Sequence, residues 1–304
     1  MKLNESFTDY LAHYNNENVH PELNSIKKKI YKCENFPNLI VYGPSGSGKY
    51  TQTLSIISEY FNNDLKYEKK MCVQSQKDQY FIKMSSFHYE VDMSLLGCNA
   101  KILWTDIFSQ IKDSIETSIS KFGIIVCKNF HCINNELLDI FYSYIQNNGY
   151  MFNIRFIIVS EHLSFIPNEI IESSKLIRVE KIQKKYITNI NKKYSNKNIN
   201  NLKNVFAGIP QIDKEYIISN LLYSILSSEK IDYLKLRDVI YDIFIFNISI
   251  EECIIQLLKK IKNDTSEFLP STILKIVSFL KYYNNNYRPI THVEQYFILL
   301  SKLL

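Results

Sequence analysis

The chain has 304 residues, 46% of them hydrophobic and 22% charged, an ordinary soluble globular composition with room for two or three domains. Seven glycines and seven prolines exclude collagen-like repeats and argue against long flexible linkers, and the net charge of +5 permits a nucleic-acid partner without demanding one. The six cysteines form no CxxC pair and have no histidines at zinc spacing, so a reduced intracellular protein with buried thiols is expected.

From residue 1 the sequence is polar, with no signal-peptide pattern, and no apolar run approaches the roughly 20 residues of a membrane span. The first strong element is Asn38 to Tyr42, an apolar run ending in Gly43-Pro44, which reads as a buried parallel strand feeding a glycine loop. Residues 50–61 follow with apolar positions at helical spacing. Strands are expected at Gln79 to Met84 and Phe87 to Asp92, a helix over 100–119, and a fully buried strand at Gly123 to Cys127. A helix at Asn135 to Gln146 and a buried strand at Arg155 to Ser160 complete the alternation, which predicts an α/β parallel sheet with helices on both faces. Residues 180–213 are short polar helical pieces, the expected lid. Beyond them the pattern is helical: Tyr216 to Leu226, Tyr233 to Phe246, Ile250 to Ile261, Leu274 to Tyr283 and Val293 to Leu304. The domains expected are 1–179, 180–213 and 214–304.

Gly43-Pro44-Ser45-Gly46-Ser47-Gly48-Lys49-Tyr50-Thr51 carries the GxxxxGK spacing of a phosphate-binding loop. Its glycines let successive backbone N–H groups curl around an anion, Lys49 can reach the β- and γ-phosphates, and the following helix presents its positive end. Such a loop normally follows its lysine with Ser or Thr, which ligands Mg²⁺. Here Tyr50 holds that place and Thr51 comes one residue late, rotated by about 100° on a helix and therefore a poor metal ligand. Hydrolysis also needs acids at the end of a neighbouring strand, yet Gly123 to Cys127 runs into Lys128-Asn129-Phe130-His131. His131 reads as a polar residue at a loop start before it reads as a base.

The block from Cys33 to Thr51, CENFPNLIVYGPSGSGKYT, resembles the small subunits of replication factor C-type sliding-clamp loaders, above all the subunit 3 type. Ser85 to Phe108, Arg155 to Ile170, Asn200 to Phe206 and the final ITHVEQYFILLSKLL are similar to further blocks of that family. The resemblance implies a P-loop AAA+ domain with a helical lid and an all-α collar, and a degenerate ATPase site. The family's acidic motif falls on Lys128 to His131, its sensor asparagine on Glu161, its Ser-Arg-Cys motif on Glu172-Ser173-Ser174 and its lid arginine on Lys203. Lys175 is the nearest substitute for the arginine finger, and a lysine lacks the planar fork that spans a transferring phosphoryl group.

What the resemblance implies about function is a clamp-loader subunit that helps open and load the sliding clamp on primed DNA during replication. It would bind ATP or ADP through Gly43 to Thr51 and Lys203 without hydrolysing it, with Mg²⁺ doubtful. Its partners would be other clamp-loader AAA+ subunits in a hetero-oligomeric ring, a pentamer, together with the sliding clamp and primer-template DNA held by phosphate contacts, at no membrane, in the nucleus or a viral replication compartment. Trp104, Ile107 and Phe108 stand at i, i+3, i+4 on one helical face, a spacing that fits either a clamp-binding plug or an inward core stripe. The competing expectation is an active AAA+ ATPase, a helicase loader or remodeller, using Glu90, Asp92 or Glu161. A scaffold with a vestigial loop is the third.

Overall fold

The computed structural model describes residues 6–16, 18–31, 36–61, 65–74, 79–97, 99–146, 153–181, 216–221, 233–245, 248, 250–264, 269–283 and 289–301. The chain divides into two compact units, Met1–Ser195 with Ile199–Gly208, and Ile209–Leu304 with Asn196–Asn198. The expected lid lies outside the described residues except for Glu180 and Lys181, and Lys203 lies outside them too.

The first unit opens with helices α1 (Phe7–Asn16) and α2 (Asn24–Tyr31), then strand β1 (Leu39–Tyr42) and helix α3 (Lys49–Phe61). Strands β2 (Lys69–Gln74), β3 (Gln79–Met84) and β4 (His88–Asp92) precede the long helix α4 (Ala100–Thr117). Then come β5 (Phe122–Lys128), α5 (Asn135–Gln146), β6 (Asn153–Ser160), α6 (Asn168–Glu172) and β7 (Lys175–Arg178). The strands form one sheet in the order β2-β3-β4-β5-β6-β1-β7. Strands β4, β5, β6, β1 and β7 are parallel, and the near-continuous apolar runs of β1, β5 and β6 are those expected of strands covered on both faces.

The side-chain period of two sorts these strands between two cores. Ile40, Ile125, Cys127, Phe156 and Ile158 face helices α4 and α5. Leu39, Val41, Ile124, Val126, Ile157 and Val159 face α1, α2 and α3. The P-loop α/β architecture is therefore as expected, with helices covering both faces.

Two features depart from expectation. The sheet is not wholly parallel: β2 and β3 pair antiparallel, as do β3 and β4. Strand β3 opens with exposed and buried residues in alternation, because one face of this edge meets water. The strand β2 is weakly written, with Lys69 and Lys70 opening it and only Val73 buried. The N-terminal helices are also additional to the expected elements.

In the second unit residues 216–221 are helical, followed by α7 (Tyr233–Ile245), α8 (Ile250–Asp264), α9 (Leu269–Tyr283) and α10 (Pro289–Ser301). They enclose their own core, including Leu236, Ile240, Cys253, Leu257, Val293 and Phe297. Among the described residues no helix is long and apolar enough to cross a membrane.

Candidate nucleotide site

The loop joins β1 to α3 at the carboxyl end of the parallel strands, where open α/β sheets place their ligands. Its entry is fixed by close packing. Gly43 N–H donates to the Ser160 carbonyl at 3.3 Å, and Val179 N–H donates to Tyr42 at 2.8 Å. A Cβ on Gly43 would collide with the Val179 carbonyl, so only glycine fits. Gly46 (φ 70°) and Gly48 (φ 87°) take left-handed conformations that curl the loop. Lys49 begins α3, and its ammonium lies 2.8 Å from both the Gly43 and Pro44 carbonyls. Burial lowers the Lys49 pKa, opposed by the Glu161 carboxylate, which places that acid within electrostatic range of the loop lysine. Ser47 is buried and its hydroxyl has no hydrogen-bond partner.

A support absent from the sequence expectations comes from the N-terminal segment. His20, 2% exposed, directs Nε2 to the Ser47 carbonyl at 2.8 Å and Nδ1 to Glu22 at 2.9 Å. Behind it, the buried Lys27 ammonium lies 2.9 Å from the Tyr14 hydroxyl and reaches Ser55 on α3 at 2.5 Å. Burial pulls Lys27 down to about 8, with Glu59 opposing. No short motif announces either residue, since both act through contacts distant in sequence.

Opposite the loop the strand ends are rebuilt. Tyr50 donates its hydroxyl to Glu90 Oε1 at 2.6 Å, and Lys128 donates to Glu90 Oε2 at 3.0 Å. The Lys128 ammonium stands 5.3 Å from the Tyr50 ring centroid. Burial pushes the Glu90 carboxyl up, but the His88 ring, the Lys128 ammonium and the Tyr50 hydroxyl outweigh it and hold it at about 2. The His88 Nε2 stands 3.6 Å from Glu90 Oε1, beyond hydrogen-bond distance. Tyr50 is raised well above the ordinary tyrosine value by burial and then by Glu90, so it stays a protonated donor.

The strand ends therefore do carry acids, and each is engaged. Glu90 is ion-paired. Asp92 Oδ1 accepts from Ser94 N–H at 3.1 Å, the Ser94 hydroxyl at 2.6 Å and the Asn129 amide at 2.9 Å. Asn129 takes a left-handed φ of 51°, a conformation asparagine tolerates, which carries the chain away from β5. The Glu161 charge acts on both Lys49 and His131. Burial lowers the His131 pKa, with Glu161 again opposing, and its Nδ1 is buried without a partner.

A phosphate chain fits the loop, by its glycine geometry, its lysine and the helix start. A divalent metal in the usual place does not fit, because residue 50 offers no small hydroxyl at its Cβ and residue 128 is a cation. Among the described residues no group of three or more His, Cys, Asp or Glu side chains is placed to hold a metal ion.

Of the expected clamp-facing triad Trp104, Ile107 and Phe108, the first two lie in the core of this unit. Trp104 and Ile107 are fully buried, and Trp104 packs on Phe141 and Tyr144 at 5.3 and 6.0 Å. Phe108, part-buried, stacks with Phe156. Turning Trp104 and Ile107 outward would cost roughly 1.5–3 kcal/mol each in lost burial. Lys175 begins the edge strand β7, its N–H bonded to Asn38 at 2.8 Å.

No protein-family model matches the chain. It is 29% identical over 109 residues to replication factor C subunit 3 of Bos taurus, covering 34% of this chain and 31% of that protein. It is 25% identical over 170 residues to replication factor C subunit 5 of Schizosaccharomyces pombe, covering 53% and 46%. The chain is thus similar to replication factor C subunits 3 and 5, and the similarity spans about a third to a half of those relatives' length. Among solved structures, a DNA polymerase III gamma subunit-related protein from Thermotoga maritima is 11% identical, covering 92% of this chain and 98% of that chain, with a TM-score of 0.41. The RuvB Holliday junction branch migration motor of Thermotoga maritima is 12% identical, covering 76% and 70%, with a TM-score of 0.38.

Proposed function

We propose that this chain is a clamp-loader-type AAA+ subunit that holds ATP or ADP in the loop Gly43 to Thr51 and does not hydrolyse it. The observation that carries this reading is the Tyr50–Glu90–Lys128 cluster. It puts an aromatic ring and an ammonium where an efficient hydrolase needs a metal-binding hydroxyl and a metal-binding acid, and it ties up the nearest strand-end carboxylate. Similarity to replication factor C subunits 3 and 5 supports the family, the subunit 3 type being the finer choice. In that role the chain contributes shape and a nucleotide-filled interface to a ring of other AAA+ subunits. Lysines facing the ring's centre would track primer-template DNA by charge, and the ring would open and load the sliding clamp. The second unit serves as the collar and Lys203 as a lid contact to the nucleotide.

Affinity-tagged chain, purified from its source and read by mass spectrometry, should bring down other AAA+ subunits and the clamp. Recovery of the chain alone, with no nucleotide binding, would leave the vestigial-scaffold reading. A second reading, an active ATPase, would use Glu161, whose charge acts on both Lys49 and His131. That reading requires Glu161→Gln to abolish a measurable turnover.

A further inference from the structure

A nucleotide usually enters a phosphate loop as its magnesium complex, because the metal offsets repulsion among phosphate oxygens and is held by a hydroxyl and an acid of the protein. Both protein ligands are replaced here. Residue 50 carries a ring whose hydroxyl is spent on Glu90, and residue 128 carries an ammonium. A divalent ion brought to that side would meet a fixed positive charge. An ammonium has three donors. The Glu90 carboxylate accepts one from Lys128, and the Lys128 side chain remains 27% exposed, so a further donor can meet an anion.

The cluster is also rigid. Glu90 is fully buried in the centre of β4, Tyr50 is fixed on α3, and the Tyr50 ring supports the Lys128 ammonium from one side. The loop itself adds a second cation, Lys49, and a buried Ser47 hydroxyl without a partner.

We propose that the loop takes a nucleoside di- or triphosphate free of divalent metal, the Lys128 ammonium, positioned by Glu90 and Tyr50, supplying the positive charge on the side where a metal would sit. This rests on the reading that the loop binds nucleotide. Lys128 is then a binding residue, and Glu90 and Tyr50 are positioning residues.

The test is a titration of the full chain with fluorescent N-methylanthraniloyl-ADP, once in EDTA and once in magnesium. Kd values agreeing within about threefold are expected. An affinity lost by tenfold or more in EDTA, about 1.4 kcal/mol, overturns the inference while leaving nucleotide binding intact. No binding in either buffer overturns the underlying reading and this inference with it. The paired variant Lys128→Met, Glu90→Gln, which leaves no buried charge unpaired, tests the residue assignment. Its affinity in EDTA should fall roughly tenfold, with its thermal midpoint near that of the parent. An unchanged affinity in the folded variant removes Lys128 from the site. The parent titration stands whether or not the variant folds.

Discussion

The two walls of the candidate site are built on different principles. The loop wall keeps every feature that grips a phosphate: three glycines, a lysine at the helix start, and a tight join between β1 and α3. The strand-end wall keeps its position in the sheet and has exchanged its chemistry, its carboxylates being engaged by Tyr50, Lys128 and Asn129. A binding wall can persist without the other wall, because anion capture needs only N–H groups and charge, whereas turnover needs both walls at once. Breaking the buried Glu90 pair should therefore change stability, whereas substitutions in the loop should change affinity.

The largest expected effect is on the strand-end wall. Glu90→Ala leaves Tyr50 and Lys128 facing a buried gap and should cost about 3 kcal/mol, the low end for breaking a buried pair because Lys128 can reach water. Urea unfolding measures this, and a variant as stable as the parent would break the contrast. The same carboxyl gives an acid signature. Its folded value of about 2 lies below the ordinary one, so its stabilisation is present above roughly pH 4.5 and is lost as pH falls toward 2. Glu90→Gln should flatten that acid limb.

Behind the loop burial disfavours the charged form instead. Lys27 is held at about 8 against an ordinary 10.5, so folding releases its proton and the folded state gains stability as pH rises from about 8 to 10.5. The gain is at most about 3 kcal/mol, and Lys27→Met should abolish it in unfolding curves compared across that range.

On the loop wall, Lys49→Ala should weaken nucleotide binding by roughly 10–100-fold, the worth of charge-assisted hydrogen bonds to phosphate, with little change in the thermal midpoint. His20→Ala frees the Ser47 carbonyl and should weaken binding by roughly fivefold, about 1 kcal/mol. Isothermal titration resolves both, and equal losses of stability and affinity in either variant would blur the distinction between the walls.

The sequence made the loop and the buried strands legible because both depend on local signals: glycine spacing for one, continuous apolar runs for the other. The inward fate of Trp104 and Ile107 was not legible, since a helical stripe states that a face is apolar and not what covers it; α5 covers it, through Phe141 and Tyr144. The antiparallel edge was hidden for a similar reason, its lysines masking a strand buried on one face only. Glu90 could be named as an acid from sequence, but its pairing with residues 40 positions before it and 38 after it comes only from the sheet register. His20 and Lys27 carry no signal in their neighbours at all.

The most direct measurement is a single-turnover assay with the full chain in excess over radiolabelled ATP in the presence of magnesium. ATP should be retained by the chain and recovered as ATP, with ADP appearing no faster than with Lys49→Ala. Conversion to ADP that is rapid and depends on Lys49 would contradict a binding wall facing a wall unable to support hydrolysis.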